Sequence, residues 1–138
     1  MKALSVKEPW ATLILRHGKT TENRSREMKY RGPLVICASK CPDRIAAEDW
    51  VWWLKQQGLA LPSIADLLKE SKPGMALGLV DVIGCDREIK TPWDELDQWH
   101  IRLENARPFP SPFSQKGQLG LFEVWDSKVR TAQEVWLS

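Results

Sequence analysis

Three ionic residues follow a glycine at short spacing: Gly18, Lys19, Glu22 and Arg24. Gly18 is expected to end a helix, which leaves Lys19 at the junction between that helix and a predicted strand. Glu22 and Arg24 lie two positions apart on this extended segment, so their side chains project from the same face. Lys19 can reach that face from the helix end. Two cations and one carboxylate would then form a net positive site, which suits an anionic or electron-rich ligand.

The three side chains differ in the chemistry they offer. The Arg24 guanidinium can bind a phosphate or a base edge with two donors, whereas Lys19 acts as a point charge. Glu22 can orient Lys19, accept a hydrogen bond from a base amino group, or serve as a general base. If the chain is an enzyme, Lys19 and Glu22 are the predicted catalytic pair. From spacing alone, the alternative is a surface salt-bridge cluster that contributes little stability.

Two aromatic residues flank this motif. Tyr30 offers a ring face on which a base could stack, and Trp10 offers another at the start of the first helix. Trp10 also shares an apolar helix stripe with Leu13 and Ile14, so core packing is an equal alternative for it. The other candidate ligand-binding residues are basic or polar, and they are Arg31, Ser39, Lys40, Asn105 and Lys116.

Two of these candidates have a structural alternative. Asn105 can read a base edge through its amide donor and acceptor, but it can equally hold a turn before Pro108. Lys116 lies in the segment 114–118, whose backbone N–H groups and single cation could bind a phosphate. An ordinary loop explains that segment equally well.

The predicted elements do not alternate as βαβ units. Helices are predicted from Pro9 to Gly18, from Pro42 to Gly58, and after Ser63, which begins a capping box. The second helix is expected to bury Trp50 and Trp53 and to expose Trp52. Strands are predicted at residues 3–6, 20–25, 33–38, 75–85, 100–104 and 119–125, with a proline-rich loop at 108–112. This order favours an α+β fold with a bent, mostly antiparallel sheet or barrel and flanking helices.

Three segments together resemble the ASCH (activating-signal-cointegrator homology) domain of the PUA-like group. The first covers residues 4–11 and continues to 18–24, the second covers 30–40, and the third covers 103–109 and continues to 116–122. The resemblance implies a five- or six-stranded PUA-like pseudo-barrel with flanking helices. It also implies a cleft that holds the family motif G-x-K-x-x-E-x-R, which here consists of Gly18, Lys19, Glu22 and Arg24.

The resemblance implies that the ligand or substrate is a nucleic acid or a nucleoside. Family members are linked to RNA binding, to reading modified bases, to ribonuclease activity and, in one branch, to hydrolysis of an acylated cytidine. That branch has a threonine where Glu22 stands, which argues against its activity here. We expect binding of RNA, more than DNA, in single-stranded or modified form. The alternatives are a hydrolase acting on RNA or modified nucleosides, and a protein-interaction domain using Trp52 and the 108–112 loop.

Composition sets the remaining expectations. A chain of 138 residues fits a single domain spanning residues 1–138. The net charge of +2 is too small to indicate nucleic-acid binding by itself, so a local basic patch is needed.

Cysteines 37, 41 and 85 and the isolated His17 and His100 match no zinc spacing, and no cofactor is expected. Without a leader or an apolar span, a cytoplasmic location with free thiols is expected. The oligomeric state stays open.

Overall fold

The computed structural model describes residues 1–137, with side chains described for residues 1–43 and 46–134. Six strands and four helices follow one another along the chain. In order, they are β1 (Lys2–Val6), α1 (Trp10–Arg16), β2 (Thr21–Arg24), β3 (Gly32–Ala38), α2 (Arg44–Gln56), α3 (Ile64–Glu70), β4 (Met75–Asp86), β5 (Trp99–Ser114), β6 (Leu121–Glu123) and α4 (Asp126–Leu137).

The strands form one sheet in the order β2-β5-β4-β3-β1-β6. The β1–β3 pair is parallel, and the other neighbours pair antiparallel. The sheet bends so far that Arg24, at the end of β2, donates a hydrogen bond to the Ser5 carbonyl in β1. The result is a half-barrel with helices against it, which confirms the predicted α+β, PUA-like fold class.

Helix α1 packs inside the bend of the sheet. Residues Ala11, Thr12, Leu13, Ile14 and Leu15 of this helix are all buried. The Glu8 carboxylate, itself fully buried, accepts hydrogen bonds from the Thr12 N–H at 2.8 Å and the Thr12 hydroxyl at 2.7 Å. These bonds satisfy a free N–H group at the helix start, and burial raises the pKa of Glu8.

Helix α2 buries a different stripe from the predicted one. Its buried side chains are Ala47, Val51 and Leu54, which lie three or four positions apart. Trp53 is 39% exposed, which corrects its assignment to the core, and Trp50 is half-buried with its ring edge-on to Trp53. Trp52 is 65% exposed, as predicted.

The proline-rich segment is a strand, not the predicted loop. Residues 108–112 lie inside β5, and Phe109 within them is buried. The register between β4 and β5 pairs Pro108 with Gly78 and then Phe113 with Ala76, so the residues between Pro108 and Phe113 form a bulge against β4. A bulge tolerates proline, which cannot donate a backbone hydrogen bond to the neighbouring strand.

The chain ends differently from the prediction. The last strand is shorter than residues 119–125, since β6 spans Leu121–Glu123. It is followed by α4, for which the sequence analysis assigned no element. Val129 and Ala132 of this helix are buried in a cluster with Phe109 and Phe122. In the described part of the chain, no helix is long and apolar enough to cross a membrane.

Strand β4 approaches β5 most closely at Gly78. A Cβ at this position would lie 2.5 Å from the Arg107 carbonyl oxygen and 2.9 Å from Leu15 Cδ2. Gly84 on the same strand has room, because the nearest atoms to an added Cβ, on Arg102, are 3.6 Å away.

We therefore predict that Gly78→Ala lowers the free energy of unfolding by about 2 kcal/mol, because the added methyl group forces the backbone of β5 to move. Gly84→Ala is the matched control and should be close to neutral. Urea denaturation followed by tryptophan fluorescence measures both. Equal stability of the two variants would contradict this account of the β4–β5 contact.

Candidate functional site

The end of α1 aims Lys19 into the molecule. Gly18 adopts a φ of +76°, which is the left-handed conformation that glycine favours after a helix. The Lys19 N–H then donates to the Leu13 carbonyl at 3.1 Å, which satisfies that carbonyl at the end of the helix. Its side chain turns inward, is 4% exposed, and donates a hydrogen bond to the Thr21 carbonyl.

Glu22 lies between the two cations of the motif. Its Oε1 is 3.6 Å from Lys19 Nζ, and its Oε2 is 3.0 Å from Arg24 Nε. The Arg24 Nε–H does not align with an acceptor among the described residues, so this contact is an ion pair rather than a directed hydrogen bond. The order Lys19, Glu22, Arg24 is therefore fixed, with one cation at each carboxylate oxygen. We call these three residues the ionic triad.

Burial changes the proton affinity of Lys19. Removal of its ammonium group from water lowers the pKa of Lys19, and the nearby carboxylates of Glu22 and Glu95 offset part of that shift. Desolvation disfavours the charged form of any amine, whereas the carboxylate partners favour it. Such a lysine loses its proton more readily than an exposed one.

The ionic triad lies in a cavity of about 780 Å³. This volume is within the range of small-molecule sites, which is roughly 300–1,000 Å³. The cavity opens between the carboxyl ends of the parallel strands β1 and β3, the segment 87–98, the segment 115–120 and helix α2. Further residues that line it include Ser5, Lys7, Ser39, Lys40, Cys41 and Lys116.

Three tryptophans form walls of this cavity: Trp10, Trp50 and Trp93. The Trp10 Nε1–H donates to Asp43 at 3.2 Å, and the Trp50 Nε1–H donates to Glu95 at 2.8 Å. Lys19 Nζ lies 5.8 Å from the centre of the Trp10 ring, within reach of a cation–π contact. The indole rings of Trp10 and Trp50 are therefore anchored by their edges.

The segment that carries Trp93 and Glu95 is attached to β2. The Asn23 amide donates to the Trp93 carbonyl at 2.9 Å and accepts from the Glu95 N–H at 3.1 Å. The buried His100 ring nitrogen Nε2 lies 2.7 Å from the Glu95 carbonyl oxygen. These contacts hold this cavity wall on β2, which carries Glu22 and Arg24, and on the neighbouring strand β5.

A buried ion pair holds the same segment. Arg102 Nη1 lies 2.8 Å from both carboxylate oxygens of Asp94, and the Thr21 hydroxyl donates to Asp94 at 2.7 Å. Burial raises the pKa of Asp94, but hydrogen bonds from the Lys90 N–H, Arg102 and Thr21 outweigh it and hold that pKa well below its usual range. Hydrogen bonds from Arg102 likewise lower the pKa of Asp86.

Seven of the ten predicted ligand-binding residues line the cavity. They are Trp10, Lys19, Glu22, Arg24, Ser39, Lys40 and Lys116. Because Trp10 is only partly buried and lines the cavity, it is not purely a core residue.

Tyr30, Arg31 and Asn105 are not among the residues that line this cavity, and their predicted role in ligand binding stays a prediction. The Tyr30 hydroxyl donates to the Pro33 carbonyl at 2.7 Å, and Arg31 donates to the Met28 carbonyl at 2.8 Å. Asn105 has a φ of 55° and donates to Asp81 at 3.1 Å, which fits the alternative of a residue holding a turn.

The lining residues that the sequence analysis did not predict include Asn23, Asp43, Trp50, Trp93 and Glu95. All except Asn23 lie far from the motif in sequence, and no local pattern relates them to it. Asn23 was detectable, since it lies between Glu22 and Arg24 on the same strand.

Of the histidines and cysteines considered from the sequence, His17, Cys37 and Cys85 are not among the residues that line the cavity, whereas Cys41 is. His17 pairs with Glu70 at 2.7 Å. Cys37 is buried, and burial raises the pKa of its thiol to about 12, whereas Cys85 is partly exposed. Among the described residues, no group of three or more His, Cys, Asp or Glu side chains is arranged to hold a metal ion.

We predict that Asp94→Asn destabilises the fold by about 2 kcal/mol at neutral pH, because a charge-assisted hydrogen-bond network is lost. The folded-state pKa of Asp94 lies below its unfolded value of about 3.9, so its contribution is present above that pH and is lost as the pH falls. The difference in unfolding free energy between the two proteins should therefore shrink below about pH 4. A difference that stays constant from about pH 3 to pH 7 would contradict the ion pair.

Comparison with known families agrees with the fold. The sequence model of the ASCH domain matches residues 4–133. A comparison with curated proteins finds no match. ASCH domains are PUA-like barrels and are generally linked to binding of RNA or other nucleic acids. The chain belongs to the ASCH domain family.

Proposed function

We propose that this chain binds single-stranded or modified nucleic acid, RNA in preference to DNA, by taking a base into the cavity above the ionic triad. The observation that carries the proposal is that the buried Lys19 and Glu22 and the partly buried Arg24 pair with one another in a cavity walled by tryptophans. Buried charges are costly to a fold unless they are paired. A cavity that retains them is suited to a polar ligand.

The tryptophan walls of the cavity are suited to stacking against the faces of a base. Stacking of one base on an aromatic side chain contributes about 1–3 kcal/mol. Trp10 and Trp50 are anchored through their indole N–H groups to Asp43 and Glu95. Because these two rings are already held in place, stacking of a base on them costs little side-chain conformational entropy.

Basic residues at the rim of the cavity are suited to the phosphate backbone of a nucleic acid. Lys7, Lys40 and Lys116 are exposed at the cavity. Within the described part of the chain, none of the three has a carboxylate within ion-pair distance, so their charges are available to phosphates. Local charge of this kind supplies most of the sequence-independent affinity for nucleic acids.

A second candidate is a hydrolase that acts on RNA or on modified nucleosides. Its support is the lowered pKa of Lys19, because a buried lysine beside a carboxylate can accept and return a proton. In this proposal Lys19 and Glu22 transfer the proton, and Arg24 stabilises the developing negative charge.

For the binding function, we predict that Lys19→Met weakens binding of short single-stranded RNA at least about tenfold, because the cavity loses its most buried cation. The fold should tolerate the change, since removing a buried ammonium also removes its desolvation cost and Glu22 keeps Arg24 as a partner. Fluorescence anisotropy with labelled RNA and DNA of the same sequence measures the affinity and the preference between them.

Lys69→Met is the matched control, because Lys69 is 81% exposed on α3 and the change in net charge is the same. It should bind as the unmodified protein does. Affinity should fall as the salt concentration rises. If Lys19→Met and Lys69→Met bind alike, or if no oligonucleotide binds at low salt, the proposed binding function is wrong.

The hydrolase candidate has its own assay. Incubation with RNA and with acylated nucleosides should give products that disappear in both Lys19→Met and Glu22→Gln. Turnover that persists in both variants would point to a contaminating enzyme and exclude these residues as the catalytic pair.

A further inference from the structure

The ionic triad has a fixed order of hydrogen-bonding character. Lys19 is a donor, Glu22 is an acceptor, and Arg24 is a donor, with Glu22 between the two cations. All three line the same cavity. A ligand edge therefore meets the pattern donor, acceptor, donor.

Each member keeps hydrogen-bonding capacity after its internal contacts. Lys19 has three N–H donors, of which one binds the Thr21 carbonyl and one faces Glu22, so one remains. Arg24 has five N–H donors, and one binds the Ser5 carbonyl. Each Glu22 oxygen faces one cation and keeps a further lone pair.

From this order we infer that the cavity selects bases with an imide edge, of which uracil is the natural member in RNA. The inference rests on the proposed function and specifies its ligand. The Watson–Crick edge of uracil presents acceptor, donor, acceptor, through O4, N3–H and O2. Its N3–H would donate to Glu22, while O4 and O2 would accept from the two cations.

The other bases present edges that conflict with this order. Cytosine presents donor, acceptor, acceptor, so its N3 would place a lone pair against the Glu22 carboxylate. Guanine presents acceptor, donor, donor, which places its amino group against a cation. A buried donor or acceptor that is left without a partner costs more than a missing contact in water. The edge that matches at all three positions should therefore bind best.

The test compares oligo(U), oligo(C) and an oligo(U) built from N3-methyluridine, all of the same length, by fluorescence anisotropy. We expect oligo(U) to bind about tenfold more tightly than oligo(C), the discrimination typical of a matched base contact. N3-methylation removes only the donor and adds a methyl group against Glu22, so it should reduce the affinity to that of oligo(C).

Glu22→Gln should abolish the preference between oligo(U) and oligo(C). Glu104→Gln is the matched control, since Glu104 is exposed on β5 and is not among the lining residues. The methylated oligonucleotide tests the inference on the unmodified protein, whether or not Glu22→Gln folds. Equal affinity for the three ligands overturns the uracil preference and leaves the binding function standing. Absence of binding to every ligand overturns both.

Discussion

The central constraint in this structure is the buried carboxylate of Glu22 between two cations. A lysine and an arginine brought close together would repel each other, and the buried Lys19 also loses its hydration. Glu22 compensates both charges, with Lys19 at one oxygen and Arg24 at the other. Because Arg24 also binds the Ser5 carbonyl, the triad joins the end of β2 to β1, where the half-barrel bends back towards itself. The same contacts thus shape the sheet and form the floor of the cavity.

Residues on both faces of strand β2 contribute to the site. Glu22 and Arg24 form the ionic triad with Lys19, while the alternate residues Thr21 and Asn23 hold the segment 87–98 through Asp94, Trp93 and Glu95. This division follows from the period of two in an extended strand. Four consecutive residues therefore supply both the polar groups of the cavity and the anchors of its aromatic wall. The cavity wall formed by the segment 87–98 is therefore attached directly to the strand that carries Glu22 and Arg24.

How far the sequence predicts this site depends on how local each contact is. The glycine that ends α1 and the spacing of residues 19–24 sufficed to predict that three ionic side chains converge. Glu95 was not predictable from local spacing. It lies about seventy positions along the chain from Asn23, and only the folded chain brings the two residues into contact beside the cavity. The type of Asn105 alone could not separate its two interpretations, because asparagine suits a base edge and a left-handed turn equally. The strand at 108–112 was missed because three prolines resemble a loop until the bulge opposite β4 is known.

The most direct test of the account is whether a bound oligonucleotide reaches the ionic triad. In protein labelled with 15N-arginine, the side-chain Nε resonance of Arg24 can be followed by NMR during titration with short single-stranded RNA. Arg107, which pairs with Asp81 and is not among the lining residues, provides an internal reference. The account predicts that the Arg24 resonance shifts in a saturable manner while that of Arg107 stays in place. Saturable binding that leaves the Arg24 resonance unchanged would contradict it.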